Sequence, residues 1–149
     1  MIKKLTVKHL IKLNLIAACL HAVQAVAVVL LSDPQRGNWT VTGNYLTLSP
    51  ESRTGAPVLV PATHDLFTVN LAYLVAAFFV LSSAAHLIVA TVYSKRYAKD
   101  LKNGLNRVRW IEYSLSASTM MVGIGLLSGI YDLSSLLMMF GLTAIMNLM

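Results

Sequence analysis

The chain has 149 residues, 56% of them apolar and only 12% charged, and its twelve Lys and Arg against six Asp and Glu leave a formal charge of +6. Soluble domains carry about a quarter charged residues, so this composition excludes disorder and argues against an ordinary soluble enzyme. The length suits one domain, and a single Cys excludes both an intrachain disulfide framework and a Cys-rich metal site.

The N-terminal stretch is basic. Lys4, Lys8 and Lys12 stand four apart, which places them on one helix face beside anionic lipid. Leu13 to Leu31 follows with no charge and reads as the first membrane helix, since about 18 apolar residues suffice to span. Its apolar core is too long for a cleaved signal peptide, and no small-x-small cleavage site is evident. Residues 32–65 form a first loop too long for an idle connection. Within it Trp39 to Thr42 alternates, Gly43-Asn44 supplies a turn signal, and Tyr45 to Leu48 alternates again. That pattern predicts a β-hairpin, and Val58-Leu59-Val60 offers a third short strand. The ribbon either packs as a lid on its own helices or serves as a dimer contact.

Leu66 to Tyr93 is uncharged and reads as the second membrane helix; residues 94–109 form a basic loop. Trp110 to Ile130 holds one charge, Glu112, and reads as the third helix. Leu133 to Met149 reads as a fourth, shorter one. Lys3, Lys4, Lys8 and Lys12 lie in the N-terminal tail, and only Arg36 and Arg53 in the first loop. The second loop holds Lys95, Arg96, Lys99, Lys102, Arg107 and Arg109. Cytoplasmic loops are the ones enriched in Lys and Arg, so the N-terminus and the second loop are expected on the cytoplasmic side of the cell membrane and the first loop outside. The fold class is an all-α integral membrane protein with a short β-ribbon in its first extracellular loop.

The polar residues within these segments are the candidate chemistry. An ionisable group in a spanning helix is costly and by default marks a functional site. Glu112 is that group; the alternative is a simple pair with Arg109, three residues earlier on the same face. Ser116, Thr119 and Gly123 extend a polar or small stripe from Glu112 along the helix. Asn14, His21 and Gln24 share a face of helix one, and helix two carries His86. At 1.5 Å per residue, His21 lies ~12 Å and His86 ~10 Å from the inner ends of their helices. Glu112 enters from the same side, so a shared proton network is expected in the cytoplasmic half. No HExxH or comparable spacing supports a metal, so none is expected. No phosphate loop, nucleophile elbow or aromatic-rich basic patch is present, and the chain is read as neither an enzyme nor a nucleic-acid binder. Gly125 and Gly129 form a GxxxG, a weak signal for close helix packing. Met138, Met139, Met146 and Met149 suit lipid or core contacts, or an apolar ligand.

The run Arg109-Trp110-Ile111-Glu112-Tyr113-Ser114-Leu115-Ser116-Ala117-Ser118 resembles the helix-three signature of the heliorhodopsins, retinal-binding photoreceptor membrane proteins. His21 with Gln24, His86, Lys95-Arg96-Tyr97 and Gly43-Asn44-Tyr45-Leu46 extend the resemblance along most of the chain. It implies four helices of a seven-helix rhodopsin-like bundle, with the N-terminus cytoplasmic, the orientation the charge count gives independently. It implies a light-sensing role, photosensory signalling rather than ion pumping, with all-trans retinal as chromophore. Glu112 would be the counterion of the protonated retinal Schiff base. Ser116, Thr119, Met138 and Thr143 would neighbour the chromophore, and His21, Gln24, His86 and Arg109 would form the inner polar cavity. The outer ribbon would help to form a homodimer. The chain departs from the family in having no lysine inside an apolar segment, and Thr143 stands where an Asn is expected. It is therefore read as the N-terminal portion, lacking the C-terminal helices. The alternative is a self-sufficient four-helix partner, scaffold or small ion-conducting protein.

Overall fold

The computed structural model describes residues 7–49 and 57–149. Lys3, Lys4 and Arg53, counted above for orientation, lie outside the described residues. The elements run α1 (Val7–Leu31), β1 (Asn38–Leu48), β2 (Leu59–Asn70), α2 (Leu71–Ala90), α3 (Ser94–Lys102), α4 (Arg107–Leu127) and α5 (Leu133–Leu148). Four long helices and one two-stranded ribbon carry the fold. α1 packs on α2, α2 on α4 and α4 on α5, so the helices form a row with α4 covered on two sides. α1 and α2 are long and apolar enough to cross a membrane. They expose their large apolar side chains widely, from Leu13 to Leu31 on α1 and at Val80, Leu87 and Ile88 on α2. In water such a surface would be an aggregation liability; against acyl chains it is the expected coat.

The helix bounds differ from the sequence expectation in instructive ways. The described part of α1 already includes Lys8 and Lys12, so that basic turn belongs to the helix. Residues 66–70, expected in the second membrane helix, belong to β2, and the helix begins at Leu71 because Asn70 caps it. Its side chain accepts from the Ala72 N–H at 3.0 Å and donates to the Asn38 Oδ1 and the Arg36 carbonyl. Apolarity cannot reveal that boundary, as an apolar strand feeding an apolar helix leaves no change in composition. The basic loop contains α3, closed by Gly104 at φ +71, with the Leu105 N–H reaching back to the Asp100 carbonyl.

A ribbon is present, with different partners from those expected. Gly43-Asn44 is no turn: β1 runs straight through it, pairing Gly43 with His64 and Asn44 with Thr63 of the antiparallel β2. Gly43 does not adopt positive φ; it is needed for space, as a Cβ there would sit 2.9 Å from His64 Cε1. The third-strand candidate, residues 58–60, leads into β2, which continues through Pro61. Both strands of a two-stranded ribbon are edges, so a proline there removes little pairing.

The ribbon's base closes on the C-terminal end of α4 and the N-terminal end of α5. Val41 (1% exposed), Leu126 (0%) and Leu136 (4%) form the best-buried cluster, flanked by Trp39, Val69, Val122 and Leu133. The Thr42 N–H donates to the Tyr131 carbonyl at 2.8 Å, and Trp39 stacks on Tyr131. α4 ends with Gly129 at φ +88, where the Ile130 N–H bonds to the Gly125 carbonyl. The Gly125/Gly129 pair is thus split: Gly129 caps, while Gly125 lies close to Met139 and Leu136 of α5. Gly123 gives the matching close approach to Leu74 and Leu71 on α2.

Candidate functional site: a polar cluster joining three helices

Four side chains from three helices meet below the row's midpoint. The Asn14 amide nitrogen donates to the Leu10 carbonyl at 2.8 Å, which turns its Oδ1 toward His86 Nδ1, also 2.8 Å away. The other ring nitrogen, Nε2, lies 3.2 Å from Arg109 Nη1. Arginine can only donate, so Nε2 accepts and the proton of His86 sits on Nδ1, donated to Asn14. The same Arg109 nitrogen lies 3.2 Å from Glu112 Oε2, and the guanidinium stands 4.6 Å above the Tyr113 ring. Glu112 is buried, its side chain 6% exposed against 38% for Arg109. A carboxylate so placed needs its cation, because an unpaired buried charge is strongly unfavourable.

His21 joins by stacking. Its ring lies 5.7 Å from that of His86 at an interplanar angle of 15° and 5.9 Å from Phe79. Its Nδ1 donates to the Gln24 Oε1 at 2.9 Å, one helical turn on. The Arg109–Glu112 pair and the wider His cluster were alternative readings of the sequence; the structure contains both, with Arg109 bonded to His86 and Glu112 at once.

Two cavities share this cluster. The smaller, about 340 Å³, opens at the end of the row where α4 begins, between Asn14, Tyr97, Asn106 and Val89. The larger, about 560 Å³, lies between the helices, lined by Phe78, Ala117, Met120, Met121 and Met146, with His21, Ser82, Tyr113, Ser116, Thr143 and Asn147 among its polar groups. His86, Arg109 and Glu112 line both, so they form the partition between a polar inner space and a mainly apolar one.

Of the expected chromophore neighbours, Ser116 (2% exposed) and Thr143 line the larger cavity. Thr119 and Met138 do not. Thr119 returns its hydroxyl to the Leu115 carbonyl at 2.8 Å, and Met138 is 60% exposed. Helix geometry explains both. At about 100° per residue, Met138 points roughly 140° away from Thr143. On α4 the lining residues Glu112, Tyr113, Ser116, Ala117 and Met120 centre roughly 80° beyond Glu112, whereas Thr119 falls about 20° on its other side. The i, i+4, i+8 spacing Glu112–Ser116–Met120 and the Thr143–Met146–Asn147 cluster carried the missed signal. Asn14, noted on the helix-one face, proves to be the residue that orients His86.

These features define an integral membrane protein of packed helices with a buried carboxylate beside an apolar cavity. The heliorhodopsin family profile matches residues 10–149, and the chain belongs to that family, whose members are light-sensing, retinal-binding membrane proteins. No curated protein sequence matches the chain.

Proposed function

We propose that these residues form the counterion side of a heliorhodopsin-type photosensor, in which α1, α2, α4 and α5 all cross the membrane with the N-terminus and α3 on the cytoplasmic side. α5 has 16 residues, about 24 Å at 1.5 Å per residue, so it spans most of a ~30 Å hydrocarbon core. The observation that carries the reading is Glu112, buried at the polar end of a methionine-rich cavity and held there by Arg109.

The donor set fits one wall of a retinal site. Phe78, Ala117, Met120, Met121 and Met146 suit a conjugated apolar chain, as thioethers mould to irregular shapes. Glu112 supplies negative charge where the chromophore's positive end would lie. Retinal, when bound, supplies light absorption and a change of shape. Glu112 shares Arg109 with His86, so any change in the charge opposite Glu112 is felt by Arg109 and, through it, by the Nδ1–H of His86 and by Asn14. That is a proton-handling relay leading to the inner cavity, a way to pass a light-driven change from the chromophore side toward α3. Lys8 and Lys12 are the lysines of these four helices, both exposed within the first two turns of α1. The amine that holds retinal in this family is therefore not supplied by α1, α2, α4 or α5. The ribbon, with Tyr45, Leu46, Leu48 and Leu59 exposed, is the surface for a homodimer.

The test supplies the missing amine. The chain in detergent is titrated with all-trans retinal preformed as its butylamine imine. A protonated, red-shifted band that saturates and is lost in Glu112→Gln is expected; a spectrum identical to that of the imine in empty micelles overturns the reading.

A further inference from the structure

We infer that α3 is a docking surface for anionic phospholipid headgroups, held at headgroup level by its own buried face. α3 follows α2 after three residues and cannot roll. Tyr97 and Asp100 are its buried residues. Tyr97 lines the inner cavity with Asn14 of α1 and Val89 of α2, and the Asp100 carboxylate accepts from the Tyr93 hydroxyl at 2.7 Å. Fixing that face inward leaves Lys95, Arg96, Lys99 and Lys102 exposed. Lys8 and Lys12 of α1 are exposed near the same end. Among the described residues the acids at this end are Asp100 and Glu112, both buried and both engaged, by Tyr93 and Arg109.

Lys95, Arg96, Lys99 and Lys102 therefore face outward with no ion pair among the described residues. Helices that end in the bilayer keep them next to its surface. Each Lys or Arg near an anionic surface gains about 1 kcal/mol, and the attraction decays within a Debye length of ~8 Å at physiological salt. Close apposition is what makes lipid the favoured occupant over a soluble acidic protein. A lipid phosphate meets these side chains wherever the helix ends lie, whereas an acidic protein needs a shaped surface as well.

The test uses the two tryptophans. Trp110, 43% exposed at the start of α4, lies near this rim, and Trp39 lies at the opposite end beside Tyr131. The full chain carrying Trp39→Phe is reconstituted in phosphatidylcholine vesicles containing equal small fractions of brominated phosphatidylglycerol or brominated phosphatidylcholine. Identical leaflets make orientation irrelevant. Stronger quenching of Trp110 by the anionic lipid is expected, an enrichment of roughly fivefold, which corresponds to about 1 kcal/mol. It should fall in 0.5 M salt and in the Lys95, Arg96, Lys99 and Lys102→Gln variant. It should persist when the three lysines become arginine, which keeps the charge and shows that the fold is intact. Equal quenching by the two lipids, or a preference that survives the glutamine variant, overturns the inference and leaves the cations to a soluble acidic partner or to orienting the chain.

Discussion

The ribbon end and the polar-cluster end of the helix row, outer and inner in the proposed topology, are built on opposite principles. At the outer end Val41, Leu126 and Leu136 fill their space, a ribbon strand hydrogen-bonds to the α4–α5 turn, and the neighbouring cavity is only about 130 Å³. At the inner end polar side chains meet beside spaces of about 340 and 560 Å³. Lipid tails are as apolar as leucine, so helices in a bilayer associate by close packing and hydrogen bonds rather than by exclusion from water. The tight outer end supplies that packing, which leaves the inner end free to hold polar groups around open volume. Stability and chemistry are thereby divided along one helix, α4, with Leu126 near one end and Glu112 near the other.

The largest expected effect would break the outer end. Leu126→Ala removes a fully buried side chain and should cost roughly 2–5 kcal/mol, read as a lowered unfolding midpoint in detergent. A change below about 1 kcal/mol would mean that the outer cluster does not anchor the fold. At the inner end, Glu112→Gln leaves Arg109 half-paired and should cost about 1–3 kcal/mol. It should also abolish the red-shifted band, an effect that Leu126→Ala should leave in place in whatever fraction stays folded. The two readouts separate the ends.

Asp132 sharpens the comparison from the outside. It caps α5, and hydrogen bonds from the Ser135 backbone N–H and hydroxyl hold its carboxyl below the usual carboxylate range. A carboxyl whose folded pKa is depressed stabilises above its unfolded pKa, near 4, and loses that contribution as pH falls through the folded value. Asp132→Ala should therefore lower the unfolding midpoint at neutral pH, with the gap to the parent chain closing as pH drops below about 4. A gap independent of pH would show that the cap acts through packing alone. The smallest effect is expected at Met138, where replacement by Leu should change stability by less than about 0.5 kcal/mol and leave the absorption unmoved. A spectral shift there would place the chromophore on a different face of α5.

Much of this was legible beforehand. Hydropathy located the four long helices, since apolar length is written directly in composition, and the run from Arg109 to Ser118 carried the family resemblance. Depth counting from the helix ends placed His21, His86 and Glu112 at one level, because a helix rises by a fixed amount per residue. Strand partners were not legible. Alternation marks both sides of Gly43-Asn44 equally, and only the side chain of His64, 21 positions on, explains why a glycine stands there. Nor was the start of α2, where the Asn70 cap interrupts a run of uniform hydropathy.

The sequence by itself determined that this is a membrane protein of apolar helices, which side is rich in cations, and which ionisable residues must be accounted for within the helices. Each follows from the cost of placing charge in hydrocarbon, a property of residues one at a time. Only the tertiary structure decided that Asn14 sets the proton of His86, that Arg109 joins His86 to Glu112, and that Met120 and Met146 rather than Met138 line the cavity. Those depend on how helices rotate against one another, and rotation is fixed by close contacts such as Gly125 on Met139 and Gly123 on Leu74, which no single segment encodes.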